Sequence, residues 1–230
     1  MAHLAHYREA HPLPFVLTHW VNLICMVVLI FTGFYIHFPF FTGFMGIARG
    51  AHLFFGYLIF ANCLLRVILS FFIKSAPSGG TRKVQRDINT FLPQKDNRHQ
   101  LFAWIKYYLF FKKDHPLGGK YGVPQKICYD AIPVLILFTF FTGLCLWAPT
   151  SLVGPFAFFN NLVGGVVVTR IIHNFCMWVF IIFTMIHAYL ANVEGFAPSK
   201  MIFAWKEHGG LVYDPDLHTI VGEDEMEHDH

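Results

Sequence analysis

Charge is scarce in this chain. Asp, Glu, Lys and Arg make up only 13% of 230 residues, and the stretches 39–48 and 149–169 contain none of them. Paired cysteines are also lacking: Cys25, Cys63, Cys128, Cys145 and Cys176 stand singly. Without a C-x-x-C pair there is no zinc or thiol-redox signature, and without C-x-x-C-H there is no covalent haem attachment. The five thiols fit as small residues packed between helices. Against this shortage stand 55% apolar residues and 18% aromatics, 27 of them Phe. That balance excludes a soluble domain of this size and points to an integral membrane protein.

Four stretches can cross a hydrocarbon core about 30 Å thick, which takes roughly 20 residues. They are expected at 15–38, 51–73, 127–147 and 166–192. Each must satisfy its own backbone hydrogen bonds in lipid, so each is expected to be helical. The fold class is therefore an all-α membrane protein, a four-helix transmembrane bundle over residues 1–199. A polar tail follows over 200–230. The first apolar run is too long for a signal h-region, and no small-residue cleavage pattern precedes Phe38, so it is expected to remain as the first span.

The loop between the second and third spans, 74–126, holds eleven Lys or Arg against three Asp. The positive-inside rule places that loop, and both termini with it, in the cytoplasm. Its basic character suits topology and anionic lipid far better than nucleic acid. Within the loop, Leu101 to Lys113 sets Trp104, Tyr107, Tyr108, Leu109, Phe110 and Phe111 among lysines. This is the pattern of an amphipathic helix at the inner interface, or of a short packing helix in a small subdomain. The tail ends Glu-Asp-Glu-Met-Glu-His-Asp-His and is expected to be mobile, with docking to a partner as the alternative.

Histidine carries the functional signal. His173 and His187 lie fourteen residues apart in the fourth span, which on a helix is about 21 Å along the axis and about 40° in azimuth. An imidazole within a bilayer is costly unless it is used. His19, near the inner end of the first span, stands at the depth of His187; His52, near the outer end of the second, stands at the depth of His173. Two matched pairs at two depths fit two stacked bis-histidine haems, with neutral imidazoles filling each coordination sphere for electron transfer. Arg49 and Arg170, one turn before the outer histidines, can neutralise haem propionates or anchor at the headgroups. His37, at the outer interface, has no obvious partner at that height in the fourth span and reads as an interfacial histidine or a contact to an outer propionate.

An internal repeat runs through these residues. Phe31-Thr32-Gly33 followed by Pro39 recurs 110 residues later as Phe141-Thr142-Gly143 followed by Pro149, and Arg49-x-x-His52 recurs after 121 as Arg170-x-x-His173. The same shifts set His19 against Tyr129 and His187 against Arg66. Arg66, fourteen residues after His52, can face an inner propionate or reach the cytoplasmic headgroups.

Thr18-His19-Trp20 with Thr32-Gly33, Arg49-x-x-His52, His173-x-x-x-Met177-Trp178 and His187-x-Tyr189 together resemble the di-haem b-type cytochrome subunits of membrane-bound nickel-iron hydrogenases and formate dehydrogenases. The resemblance runs from His11 to about Glu194, and Trp104-Ile105-Lys106-Tyr107-Tyr108-Leu109 is similar to the hydrogenase branch. It implies two haems b, with iron bound by His52/His173 and His19/His187. It also implies an extracytoplasmic iron-sulfur subunit with a catalytic hydrogenase or dehydrogenase subunit, and menaquinone or ubiquinone reduced near the cytoplasmic face of a bacterial or archaeal inner membrane. The subunit would be either non-catalytic or the quinone-reducing part of the oxidoreductase complex.

Two positions depart from the family pattern. Gly122 in Lys120-Tyr121-Gly122-Val123-Pro124-Gln125-Lys126 replaces an asparagine of the formate dehydrogenase branch, and Val16 stands where relatives commonly have arginine. Gln125, Tyr129 and Asp130 are the local quinone candidates, or simply interfacial polar groups. Two other functions use the same histidines: a quinol-oxidising subunit of a reductase for thiosulfate or another sulfur compound, and a haem-free proton-relay transporter.

Overall fold

A computed structural model describes residues 5–6, 12–75, 85–91, 99–112, 123–192, 199, 202–203, 210–214 and 219–222. Four long helices dominate: α1 (Leu13–His37), α2 (Met45–Phe72), α5 (Val123–Leu146) and α8 (Val166–Asn192). At 1.5 Å per residue they extend about 36–42 Å, enough to cross a bilayer core and enter its interfaces. All four contain windows apolar enough to span. The protein is a mostly helical, multi-pass membrane protein.

Local chemistry sets the ends of these helices. α1 stops at His37, and its last bond runs from the Phe38 amide to the Phe34 carbonyl at 2.7 Å. Pro39 disfavours a helical conformation at the residue before it. α2 begins at Met45, ahead of the expected Ala51, because hydropathy registers the lipid-facing length whereas Gly46, Arg49 and Gly50 continue the same helix into the interface. Between α5 and α8 the uncharged connection is not a plain loop. It forms α6 (Ala148–Ser151) and α7 (Gly154–Val163), and α7 ends on Gly164 and Gly165 with φ of 100° and 107°, a left-handed turn that glycine adopts without a steric cost.

The chain forms two compact units. One comprises Leu17–Arg66 and Ile132–Met185, and so contains parts of all four long helices. Its core joins Cys25 of α1, Ile59 and Cys63 of α2, Ile136 of α5 and Phe180 of α8, with Val21, Met26, Leu29, Phe55, Ile132 and Leu135 packed around them. Polar ties supplement this packing. Asn62 of α2 donates 2.8 Å to the Thr18 carbonyl and 2.7 Å to Asn22 Oδ1 on α1. Asn160 of α7 donates 3.0 Å to the Cys145 carbonyl and accepts from Thr169 of α8 at 2.7 Å. In lipid such bonds replace water that is not there.

The other unit gathers the described parts of Met1–Val16, Val67–Ala131 and Ile186–His230. Strands β2 (Lys74–Ser75) and β3 (Gln85–Arg86) pair antiparallel, followed by a short helix α3 (Ile88–Phe91). Asp87 is fully buried there: its carboxylate accepts from Ser75 Oγ at 2.8 Å and its amide donates to the Ile73 carbonyl at 3.0 Å. Helix α4 (Leu101–Tyr108) is shorter than the expected Leu101–Lys113 and closes through Phe110 at φ 62°. Trp104 is buried against Tyr107 and Tyr108, while Phe102, Phe110 and Phe111 are exposed. The tail is not wholly irregular: β4 (Gly210–Asp214) pairs with β5 (Thr219–Gly222) and with β1 (Ala5–His6). Leu-Val-Tyr and Thr-Ile-Val, the β-formers of those strands, explain the pairing despite the polar surroundings. The acidic end, 223–230, lies outside the described residues.

Candidate functional site

His52 and His173 each stand seven residues after the first residue of their helix, Met45 and Val166. They therefore occupy equivalent places on α2 and α8, and the structure brings them together with ring centroids 6.2 Å apart and planes at 69°. Each is met by the preceding long helix in the same way. Thr32 Oγ1 of α1 lies 2.8 Å from His52 Nδ1, and Thr142 Oγ1 of α5 lies 2.9 Å from His173 Nδ1. Both threonines are buried. The neighbouring glycines make room for the rings: a Cβ on Gly33 would meet His52 Cε1 at 3.5 Å, and one on Gly143 would meet His173 Cε1 at 3.3 Å. Met177 Sδ lies 3.6 Å from the Gly33 Cβ position, and the Trp178 ring stands edge-on to Phe34 at 5.5 Å.

With Nδ1 engaged by threonine, each ring has Nε2 left as its metal-binding atom. An iron between two imidazoles sets their centroids roughly 6 Å apart, about 2 Å for each metal–nitrogen bond and about 1 Å from nitrogen to ring centre. The spacing of His52 and His173 fits that requirement.

The sequence profile of the prokaryotic cytochrome b561 family matches residues 10–204. The chain belongs to that family. Membership makes this cytochrome b561 protein a membrane electron-transfer protein with haem b as its prosthetic group. It is similar to two proteins described as probable Ni/Fe-hydrogenase B-type cytochrome subunits. The one from Azotobacter chroococcum mcd 1 is 28% identical over 84% of this chain and 85% of the relative. The one from Azotobacter vinelandii is 26% identical over the same shares.

The remaining residues singled out by the sequence fall as follows. His19 is half-buried on α1, bracketed by Thr18 and Asn22, the two residues that Asn62 binds. His187 lies in the other unit, where the Tyr129 hydroxyl of α5 is 3.4 Å from its Nδ1 and the two rings are 5.6 Å apart. Arg49 and Arg170 are exposed one turn before His52 and His173, and Arg66 is half-buried on α2. Asp130 is exposed on α5, one turn from buried Lys126 and attracting it electrostatically. The side chain of Gln125, and residues 120–122 with it, lie outside the described residues. His37 is exposed at the end of α1, its ring against Phe38.

The threonine–histidine contacts were visible in the sequence only as the Phe-Thr-Gly repeat, to which no role attached. The differing offsets, 110 for Thr-Gly and 121 for His, were the available signal: each Thr-Gly precedes its own histidine within one hairpin.

Proposed function

We propose that this cytochrome b561 protein is the membrane-anchoring, di-haem electron-transfer subunit of a hydrogenase-type complex, linking an extracytoplasmic iron-sulfur and catalytic partner to the quinone pool. The facing pair His52 and His173, each with Nδ1 engaged by a threonine of the preceding span, is the observation that carries it. The names of the Azotobacter relatives favour a hydrogenase partner over a formate dehydrogenase. When bound, haem b supplies reversible one-electron transfer without an open site for substrate.

This chain's own residues provide binding, orientation and charge. His52 and His173 would hold one haem; helix spacing in the sequence assigns His19 and His187 to a second. Arg49 and Arg170 supply cations one turn from the first pair, where propionates need neutralising. Arg66 is the corresponding cation for the second. Gln125, Tyr129 and Asp130, at the start of α5, are proposed as quinone contacts on the cytoplasmic side, with both termini and the basic 74–126 loop on that face. An electron moved inward across the field is worth about 2.3 kcal/mol per 100 mV, so proton uptake at that face would conserve energy.

The test is a reduced-minus-oxidised spectrum with haem quantitation on the purified protein. A b-type alpha band with two haems per chain is expected. A fully matured protein with no such band would overturn the proposal in favour of a haem-free relay.

A further inference from the structure

Proton bookkeeping at the two threonines leads to a specific role for them. Thr32 Oγ1 has three partners: the Val28 carbonyl at 2.7 Å, the Leu29 carbonyl at 3.3 Å and His52 Nδ1 at 2.8 Å. Thr142 Oγ1 has two: the Thr139 carbonyl at 2.9 Å and His173 Nδ1 at 2.9 Å. A hydroxyl owns one hydrogen, and a carbonyl can only accept. The threonine hydrogen therefore goes to its own helix backbone, and the oxygen is left to accept from the ring.

We infer that Thr32 and Thr142 are positioning residues that lock His52 and His173 in the Nδ1–H tautomer, aim Nε2 at the iron and lower the reduction potential of the haem that this pair holds. The inference rests on the haem reading above. An imidazole whose N–H is given to an oxygen acceptor is a stronger electron donor through its other nitrogen, so the oxidised iron gains more than the reduced one. Both ligands of the same iron are treated alike, so the two effects act in one direction. At His187 the Tyr129 hydroxyl lies at a longer 3.4 Å from Nδ1, a phenol rather than a threonine and on the preceding long helix.

Thr32→Val and Thr142→Val remove the acceptor with little change of shape; Thr32→Ser and Thr142→Ser keep it. Potentiometric titration, low-spin EPR g-values and haem content are read on each purified complex. The expected result is an upward shift of one midpoint potential and altered g-values of that centre in either valine variant, larger in the double variant, with wild-type values in the serine variants. Should a valine variant lose its haem outright, retention of haem and potential by the serine variant supports the role equally. Valine variants with unchanged potential and g-values, or serine variants that fail as the valine ones do, overturn it. A wild-type complex without a b-type spectrum would instead overturn the haem reading itself.

Discussion

Thr32 and Thr142 hold the histidine of the following span at 2.8 and 2.9 Å, in contacts that match atom for atom between the two helix hairpins. At the other end of the same hairpins the match is broken: the repeat sets His19 against Tyr129 and Arg66 against His187. The two ends thus follow different rules. Where the hairpins agree, each supplies one imidazole hydrogen-bonded to a threonine of its own. Where they differ, the first hairpin supplies a histidine from its leading helix and the second from its trailing one, with a phenol and a guanidinium at the vacated positions. The proposed pairs each take one imidazole from each hairpin, in both patterns. At the matched end the same residue type, threonine, meets Nδ1 in both hairpins.

Several substitutions would sharpen or break this contrast. Among substitutions that leave the histidines in place, Gly143→Ala carries the largest expected effect, because its Cβ would stand 3.3 Å from a ring that Thr142 holds on the adjacent residue. A several-fold loss of the haem proposed for His52 and His173 is expected in Gly143→Ala, while Gly33→Ala, with 3.5 Å available, retains it; haem content per chain checks both. Equal losses would mean that the glycines do not set ligand approach.

Asn62→Leu removes two interhelical hydrogen bonds beside His19. Bonds of this kind average about 0.6 kcal/mol each in membranes, so a loss of about 1 kcal/mol and a melting temperature lower by roughly 2–4 °C in detergent are expected. An unchanged melting curve would show that the α1–α2 contact is held by packing alone.

Tyr129→Phe is the smallest perturbation. The 3.4 Å contact it removes is long for an O–H donor or acceptor, so any shift in potential should be smaller than that of Thr142→Val. Potentiometry on the two variants compares them directly, and a larger shift in Tyr129→Phe would reverse the contrast between the two ends.

Hydropathy made the four-helix class legible, because a bilayer dictates the length and apolarity of what crosses it. Depth made the nearness of His52 and His173 legible, since both lie near the starts of their spans, and their rings stand 6.2 Å apart. The early start of α2 at Met45 was not legible, because Arg49 and two glycines interrupt the apolar run without interrupting the backbone hydrogen bonds. Nor was α7, whose uncharged, Pro-initiated sequence resembles a loop until Asn160 ties it to Cys145 and Thr169. The role of Thr32 escaped for a different reason. A threonine in an apolar helix can satisfy itself on the carbonyl four residues back, so the sequence alone does not disclose that its remaining lone pair has a partner on another helix.

Single-site removal of each facing ligand tests the central claim most directly. His52→Ala and His173→Ala are titrated potentiometrically with haem counted in each. Loss of the same b-type redox wave in both variants, with the second wave preserved, is the predicted result. Loss of different waves, or two intact waves in either variant, would contradict the assignment of His52 and His173 to one iron.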